Sequence, residues 1–198
     1  MKFMIGNHSR VNIVVLGVIA ALLSGMPLAS TSALAAKRPV AAEKNPSGDI
    51  PDSQAFVRYV SPLGFSLQVP EGWARTDRSD GTRFADKYNA VDAAVGTASA
   101  APTVASVTAH DAARLRDGGR AVKIDAIGTV KLAAGPAIRI AYSSNSEPNA
   151  VTGKQLRLEN HRYLIYRHGK LATIDLAAPL GADNADQWKL IANAFLWR

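Results

Sequence analysis

Short segments in which apolar and polar residues alternate recur along the chain from residue 55 onward. Phe65, Leu67 and Val69 alternate with Ser66 and Gln68, which is the pattern of a strand with one buried face. Glycine, proline and asparagine separate such segments, as is typical of short antiparallel strands. The pattern predicts strands at Ala55–Val60, Phe65–Val69, Thr82–Tyr88, Val91–Thr97, Val122–Leu132, Ala137–Ser143, Leu156–Tyr166 and Leu171–Ala177.

Two other segments have helical spacing. Thr103 is placed to cap a helix that ends at Gly118 and Gly119, with Val104 and Val107 near one face. Leu115 falls near the same face. A second helix is predicted from about residue 184, capped by Asp183 or Asn184, and its buried stripe comprises Trp188, Ile191, Ala192 and Phe195.

The order of these elements predicts the fold class. About six to eight antiparallel strands with two helices favour an α+β fold, in which an antiparallel sheet is flanked by helices. The chain has 198 residues, and a single domain of that size can bury a substantial core.

The N-terminal residues have the pattern of a secretory signal peptide. Lys2 and Arg10 precede an uncharged apolar run, Ile13–Leu23, and Pro27 and the small residues of Ala33-Leu34-Ala35 follow it. The run is short beside the roughly 20 residues of a membrane span. We therefore expect residues 1–35 to be a cleaved signal peptide, the alternative being an uncleaved anchor.

The remaining chain divides into a linker and a domain. Residues 36–53 have several prolines and no aromatic residue, which is typical of an extended linker. We expect the folded domain to span 54–198 and to be exported to the periplasm or the extracellular space. The chain has no cysteine and a net charge of +7, so disulfides, thiolate chemistry and attachment of a lipid to cysteine are excluded.

The strand and turn at Gly64–Trp73, GFSLQVPEGW, resemble the GFSxxxPxGW opening of the PsbP-like superfamily. This superfamily includes a photosystem II extrinsic protein and bacterial envelope families typified by LpqN and DcrB. The end of the chain is similar as well: a strand, Gly169, a strand ending at Pro179, and a helix with Trp188 and Phe195. The resemblance covers about residues 55–198.

The resemblance has consequences for fold and function. It implies a sandwich in which helices cover an antiparallel sheet, and a non-enzymatic binding or accessory role. A bacterial export signal argues against the photosynthetic branch, and the LpqN/DcrB-type envelope branch is the nearer match. In the shared motif, Trp73 is expected to fold back over the edge of the core.

Motifs of known enzymes and metal sites are absent or incomplete. The chain contains neither G-x-S-x-G nor H-E-x-x-H. Val151–Gln155 lacks the first glycine and the final hydroxyl residue of a phosphate-binding loop. His110, His161 and His168 match no standard zinc spacing. We therefore predict no catalytic residue, no metal and no cofactor.

A basic cluster on one predicted hairpin is the candidate binding surface. Arginine interleaved with tyrosine suits anionic or carbohydrate partners, and the alternative is a solvated edge whose charges prevent aggregation. The cluster comprises Arg157, His161, Arg162, Tyr166, Arg167, His168 and Lys170.

The leading hypothesis is an exported, non-enzymatic binding or accessory protein of the bacterial cell envelope. Its partner would be an envelope protein or an anionic surface component, not nucleic acid, and the membrane would be met only transiently through the signal peptide. The alternatives are a hydrolase with an unrecognised active site, and a binder of anionic lipid or polymer that uses the basic hairpin.

Overall fold

The main layer of the protein is a seven-stranded antiparallel sheet. The computed structural model describes residues 38–42 and 47–198. Its strands are β1 (Phe56–Ser61), β2 (Phe65–Pro70), β3 (Ala74–Asp77), β4 (Gly81–Ala85), β5 (Ala90–Thr97), β6 (Lys123–Leu132), β7 (Gly135–Asn145), β8 (Arg157–Arg167), β9 (Lys170–Pro179) and β10 (Leu196–Trp197). The large sheet has the order β3-β4-β5-β9-β8-β7-β6, and a small sheet has the order β1-β2-β10.

Among the described residues, two helical segments accompany the sheets. The first begins as α1 (Val104–Ser106), passes through a π-helical turn (Val107–Asp111) and continues as α2 (Ala112–Gly118). The second is α3 (Ala185–Asn193). Thr103 caps α1 through its hydroxyl, as its sequence position predicts.

The main core lies between one face of the large sheet and a layer made of the small sheet and α3. Phe65 of β2 stacks on Phe195 with ring centroids 5.5 Å apart, and both side chains are fully buried. This contact joins the small sheet to the chain that follows α3, because Phe195 lies between the end of that helix and β10. The apolar residues of β5, β8 and β9 that meet this layer are Val91, Ala93, Tyr163, Ile165, Ala172, Ile174, Leu176 and Ala178.

A second, smaller core lies on the opposite face of the large sheet. Val107 from the π-helical turn packs against Ile138 and Ile140 of β7 and Leu164 of β8. Adjacent residues of a strand point to opposite faces, so Leu164 enters this core while Ile165 enters the main one. The first helical segment reaches only the part of the face nearest β6 and β7.

The predicted α+β fold with an antiparallel sheet flanked by helices is confirmed. The sequence pattern did not predict two of the strands, and there is a physical reason for each. All four residues of β3 are exposed, so it has no apolar alternation, and β10 is only two residues long. The helix predicted to carry Phe195 ends at Asn193, although Phe195 is buried as expected.

The predicted face of the first helix needs a correction. Val107 is fully buried, whereas Val104 is 39% exposed. Val104 is the first residue of the helical segment, where it lines an open pocket together with Pro136 and Ile138. It therefore stays accessible to solvent although Val107, one turn later, is covered.

Part of the predicted linker contacts the domain. Ile50 is buried, and its backbone N–H donates to the Asn184 side-chain oxygen at 2.6 Å. Farther back, the Asn145 amide donates to the Arg38 carbonyl at 2.7 Å. The boundary at residue 54 stays a prediction, and the predicted signal peptide, residues 1–35, lies outside the described residues.

In the part of the chain that the structure describes, none of the helices is both long enough and apolar enough to cross a membrane.

The two aromatic residues of the GFSLQVPEGW segment should differ in their contribution to stability. Phe65 is fully buried, whereas Trp73 is half-buried against the main core. We expect Phe65→Ala to lower the free energy of unfolding by about 3–5 kcal/mol, as large-to-small core substitutions do. Trp73→Ala should lower it by about half as much, as urea denaturation would measure.

Leu190→Ala is the control, since Leu190 is 40% exposed on α3 and alanine is a good helix former. This variant should lose less than about 1 kcal/mol. A loss for Trp73→Ala that equals or exceeds the loss for Phe65→Ala would contradict the described packing.

Candidate functional site

An open groove of about 770 Å³ lies on the face of the large sheet that bears the second core. Strands β5, β9, β8 and β7 form its floor. The loop at residues 86–89 and the loop at residues 145–156 form its walls. The groove exists because the first helical segment leaves this part of the sheet face uncovered.

A row of charged side chains crosses the floor of the groove. The strand register pairs Arg83 of β4 with Asp92 of β5, Asp92 with Asp175 of β9, and Asp175 with Arg162 of β8. Residues opposite one another in an antiparallel pair point to the same face. Four consecutive strands therefore place two carboxylates between two guanidinium groups.

These charges are paired with one another. Arg162 donates from Nε and Nη2 to the two Asp175 oxygens at 2.6 and 2.8 Å, a bidentate contact. Arg78 donates to Asp92 at 2.9 Å, and Arg83 donates to the other Asp92 oxygen. The Asp92 and Asp175 side chains remain 20% and 27% exposed, so a ligand in the groove can reach them.

The pKa values of two floor residues reflect this environment. Burial lowers the pKa of Arg162, but the hydrogen bond and the charge of Asp175 outweigh it, and the net pKa is raised. Burial and then the nearby Asp175 charge raise the pKa of Tyr142 to about 12. Tyr142 is thus a neutral phenol at physiological pH, and its hydroxyl can donate a hydrogen bond.

The first wall is fixed by local hydrogen bonds. Asp86 Oδ1 accepts from the backbone N–H groups of Tyr88 and Asn89 at 2.6 and 2.5 Å. Its other oxygen accepts from the Asn89 side chain at 3.0 Å. Asn184 then donates to Asn89 Oδ1 at 3.1 Å, which ties this loop to the start of α3.

The second wall is fixed in the same way. Asn149 Oδ1 accepts from the backbone of Val151 and Thr152 at 3.0 and 2.9 Å. At the base of this loop, Asn145 Oδ1 accepts from Arg157 at 3.1 Å. Hydrogen bonds from their own side chains therefore hold both walls.

The structure distributes the residues of the predicted basic cluster over different surroundings. Arg157 is buried and donates to the Ala121 carbonyl, Asn145 and Ser143, so it joins strands instead of facing solvent. Arg162 lies on the floor of the groove. Its neighbour in sequence, His161, lies on the opposite face of the sheet, since adjacent strand residues alternate.

The remaining members of the cluster lie near the β8–β9 turn. Arg167, His168 and Lys170 are exposed together there. His168 and Gly169 both have positive φ, 48° and 78°, as in the tight turns that suit a hairpin. Tyr166 instead lines a separate pocket of about 340 Å³ beside α1.

His161 occupies a confined position beside α3. Its ring contacts the Trp188 ring edge-on with centroids 4.8 Å apart, and its Nε2 lies 3.7 Å from Glu159 Oε1. Its Nδ1 is buried without a hydrogen-bond partner among the described residues. Burial, and secondarily the positive charge of Arg139, lower the pKa of His161 to about 4.

Sequence reasoning missed the groove. Asp92 and Asp175 are single charged residues inside apolar strand segments, Val91-Asp92-Ala93 and Ile174-Asp175-Leu176. That pattern signals a charge pointing away from the core. The strand register, which the sequence alone does not give, was needed to bring these residues side by side.

Within the described residues, no cluster of three or more histidine, aspartate or glutamate side chains is arranged to hold a metal ion.

No family model and no curated protein matches the sequence. Similar solved structures include the cyanobacterial PsbP of Synechocystis sp., with 16% identity, coverage of 77% of this chain and 99% of that one, and a TM-score of 0.49. LpqN of Mycobacterium tuberculosis, described as involved in cell envelope biogenesis, has 16% identity, coverage of 73% and 90%, and a TM-score of 0.46.

The Ran-binding protein Mog1p of Saccharomyces cerevisiae is also similar, with 13% identity, coverage of 72% and 88%, and a TM-score of 0.45. At such identities these similarities concern the fold alone.

The domain should lose stability in acid through His161. An unfolded histidine has a pKa near 6.5, whereas the folded-state pKa is about 4. The neutral form is favoured in the fold, so stability is full above about pH 6.5 and falls as the pH drops towards 4. Between pH 7 and pH 4, we expect the free energy of unfolding of His161→Phe to fall by about 2–3 kcal/mol less than that of the parent protein. Urea denaturation at the two pH values would measure it.

His168→Gln is the matched control, since His168 is exposed at the hairpin turn. It should retain the acid dependence of the parent protein. Equal acid dependence in His161→Phe and in the parent would show that His161 is not responsible.

Proposed function

We propose that the chain is an exported, non-enzymatic binding or accessory protein of the bacterial cell envelope, and that the groove holds its ligand. The observation that carries this proposal is the pairing of the floor charges with one another while they stay accessible. Polar groups fixed in place before a ligand arrives do not have to be ordered on binding, which favours affinity and specificity.

The groove suits binding better than catalysis. A carboxylate pair acting as acid and base needs one partner held protonated. Here Asp92 and Asp175 both accept hydrogen bonds from guanidinium groups, which fits two carboxylates. The contact between His161 and Glu159 lies on the opposite face, and no hydroxyl nucleophile among the described residues is hydrogen-bonded to His161.

Support for export comes from the sequence. Residues 1–35 have the basic, apolar and small-residue regions of a signal peptide in the required order. A groove whose walls and floor are held by hydrogen bonds and ion pairs needs no disulfide, in keeping with a chain that has no cysteine.

A second candidate function uses the tip of the β8–β9 hairpin. Arg167, His168 and Lys170 are exposed together at its turn, and they would attract an anionic lipid or polymer. Salt should weaken the binding of an anionic partner to such exposed charges. Binding in the partly enclosed polar groove should depend less on salt, because it does not rely on long-range attraction.

Export can be tested with the full-length chain carrying a C-terminal tag in a bacterial host. We expect the tag in the periplasmic or secreted fraction on a product that begins at Ala36. Mass spectrometry of the intact protein would establish the N-terminus. A membrane-bound product that retains Met1 would contradict cleavage and export of a released protein.

Binding in the groove can be separated from binding at the hairpin tip with two double variants. Arg162→Gln with Asp175→Asn removes the groove pair without changing the net charge. Arg167→Gln with Lys170→Gln removes two charges at the tip. We expect native mass spectrometry with digested envelope material to detect a ligand that is lost in the groove variant and retained in the tip variant.

Arg75→Gln with Asp77→Asn is the matched control, because this arginine–aspartate pair is also hydrogen-bonded, at 2.9 Å, but is exposed on β3. It should bind like the parent protein. Loss of the ligand only in the tip variant, with strong salt dependence, would favour the anionic-surface function. Turnover of ester, peptide, phosphate or glycoside substrates, abolished in the groove variant, would favour the hydrolase alternative.

A further inference from the structure

We propose that the ligand of the groove is an uncharged carbohydrate chain, whose hydroxyl groups bind the Asp92 and Asp175 carboxylates and the Arg162 guanidinium. This inference rests on the proposed function, in which the groove holds a polar ligand, and it adds the chemical class of that ligand. The argument concerns the net charge of the floor, its unused hydrogen-bonding positions and the shape of the groove.

The floor carries many charges but little net charge. Asp175 matches Arg162, and Asp92 matches Arg83. The walls add two lysines and two acidic residues, so the positive and negative side chains that line the groove are equal in number: Lys87, Lys154, Asp86 and Glu147. A strongly charged ligand would bring its charge close to like charges and gain no net attraction from the groove as a whole.

The paired groups still have hydrogen-bonding positions to offer. A carboxylate can accept about four hydrogen bonds, and a guanidinium can donate five. Asp175 accepts two from Arg162, which uses only its Nε and Nη2 groups for this contact. The floor therefore presents acceptors and donors side by side, at positions fixed by the ion pair.

A sugar hydroxyl can satisfy both kinds of group. It donates one hydrogen bond and accepts others, so neighbouring hydroxyls on one ring can meet a carboxylate and a guanidinium together. A phosphate or carboxylate ligand only accepts, and an ammonium group only donates, so each would leave half of the floor unsatisfied. A peptide offers one donor and one acceptor per residue, which is a sparser match.

Tyr142 adds a donor of the same kind. Its side chain lines the groove close enough to Asp175 for that charge to influence it. Because its pKa is raised to about 12, the hydroxyl stays protonated over the whole physiological range. A ring hydroxyl or a glycosidic oxygen can accept a hydrogen bond from the Tyr142 hydroxyl without any change in the protonation of Tyr142.

The shape of the groove favours a chain over a single small molecule. Its volume of about 770 Å³ lies within the range of ligand sites, roughly 300–1,000 Å³. The floor carboxylates remain 20% and 27% exposed, so the groove is open along its length and does not enclose its contents. An oligosaccharide can lie across such a surface with its ends in solvent.

The inference can be tested by nuclear magnetic resonance titration of the ¹⁵N-labelled protein as exporting cells produce it. The probes are uncharged tetrasaccharides with different linkages: cellotetraose, chitotetraose, maltotetraose and xylotetraose. We expect at least one to give saturable shifts in the amides of residues 86–89 and 145–156. Its affinity should change less than twofold between 50 and 500 mM salt, since no ionic attraction drives the binding.

Two substitutions of the same kind provide the variant test. Asp92→Asn removes a groove carboxylate paired with Arg78, and Asp77→Asn removes an exposed carboxylate paired with Arg75 at the same distance, 2.9 Å. We expect the first to weaken binding at least tenfold and the second less than twofold. Equal effects of the two variants would overturn the inference.

If a variant does not fold, mapping the chemical shifts that each probe causes in the unsubstituted protein still decides the test. Tetra-alanine and a galacturonate tetramer serve as peptide and anionic probes. Groove shifts with either of these and with none of the neutral sugars would overturn the assignment of an uncharged carbohydrate while leaving the groove as a binding site. Shifts that the sugars cause only in residues 167–170 would overturn both the carbohydrate assignment and the groove as a binding site. The absence of groove shifts with every probe would have the same consequence.

Discussion

The antiparallel register between β5, β9 and β8 is the constraint on which the rest of the structure depends. Consecutive residues of these strands serve opposite faces. In β9, Ile174 and Leu176 enter the main core, while Asp175 between them faces the groove. The same hydrogen bonds that hold the sheet thus fix the spacing of the charged row, so core and groove share one scaffold.

The charged row would be costly if its members were not paired. Removing a charge from water costs several kcal/mol unless an opposite charge and hydrogen bonds compensate. The bidentate contact between Arg162 and Asp175 supplies both, at 2.6 and 2.8 Å. Polar side chains at the groove floor are thereby held in fixed positions, which neither an apolar floor nor an isolated charge would provide.

The sequence predicted the fold well where one periodicity dominates. The alternation at Phe65, Leu67 and Val69 and the stripe at Trp188 and Ile191 correspond to buried faces. It failed at β3, whose residues are all exposed, and at Val104, which is 39% exposed at the start of the first helical segment. Both failures have one cause, because amphipathic periodicity reports burial and those residues lack a regular buried face.

The candidate site was harder to predict than the fold. Arg157 and Arg162 look equivalent in sequence, yet one joins buried strands and the other lies in the groove. Basic residues that are close in sequence lie in different environments, because successive residues of a strand point to opposite faces of the sheet. The groove itself depends on pairings between residues as distant as Asp92 and Asp175, which no local pattern encodes.

Two asparagines give the N-terminal segment a connection to both walls of the groove. Asn145, at the base of one wall, accepts from the Val40 N–H at 3.2 Å and donates to the Arg38 carbonyl at 2.7 Å. Asn184 donates to the Gly48 carbonyl at 2.9 Å and to Asn89 in the other wall at 3.1 Å. Thermodynamic linkage is reciprocal. Binding of the proposed ligand to these walls would therefore be coupled to the contacts that residues 38–42 and 47–50 make with them, and each would strengthen the other.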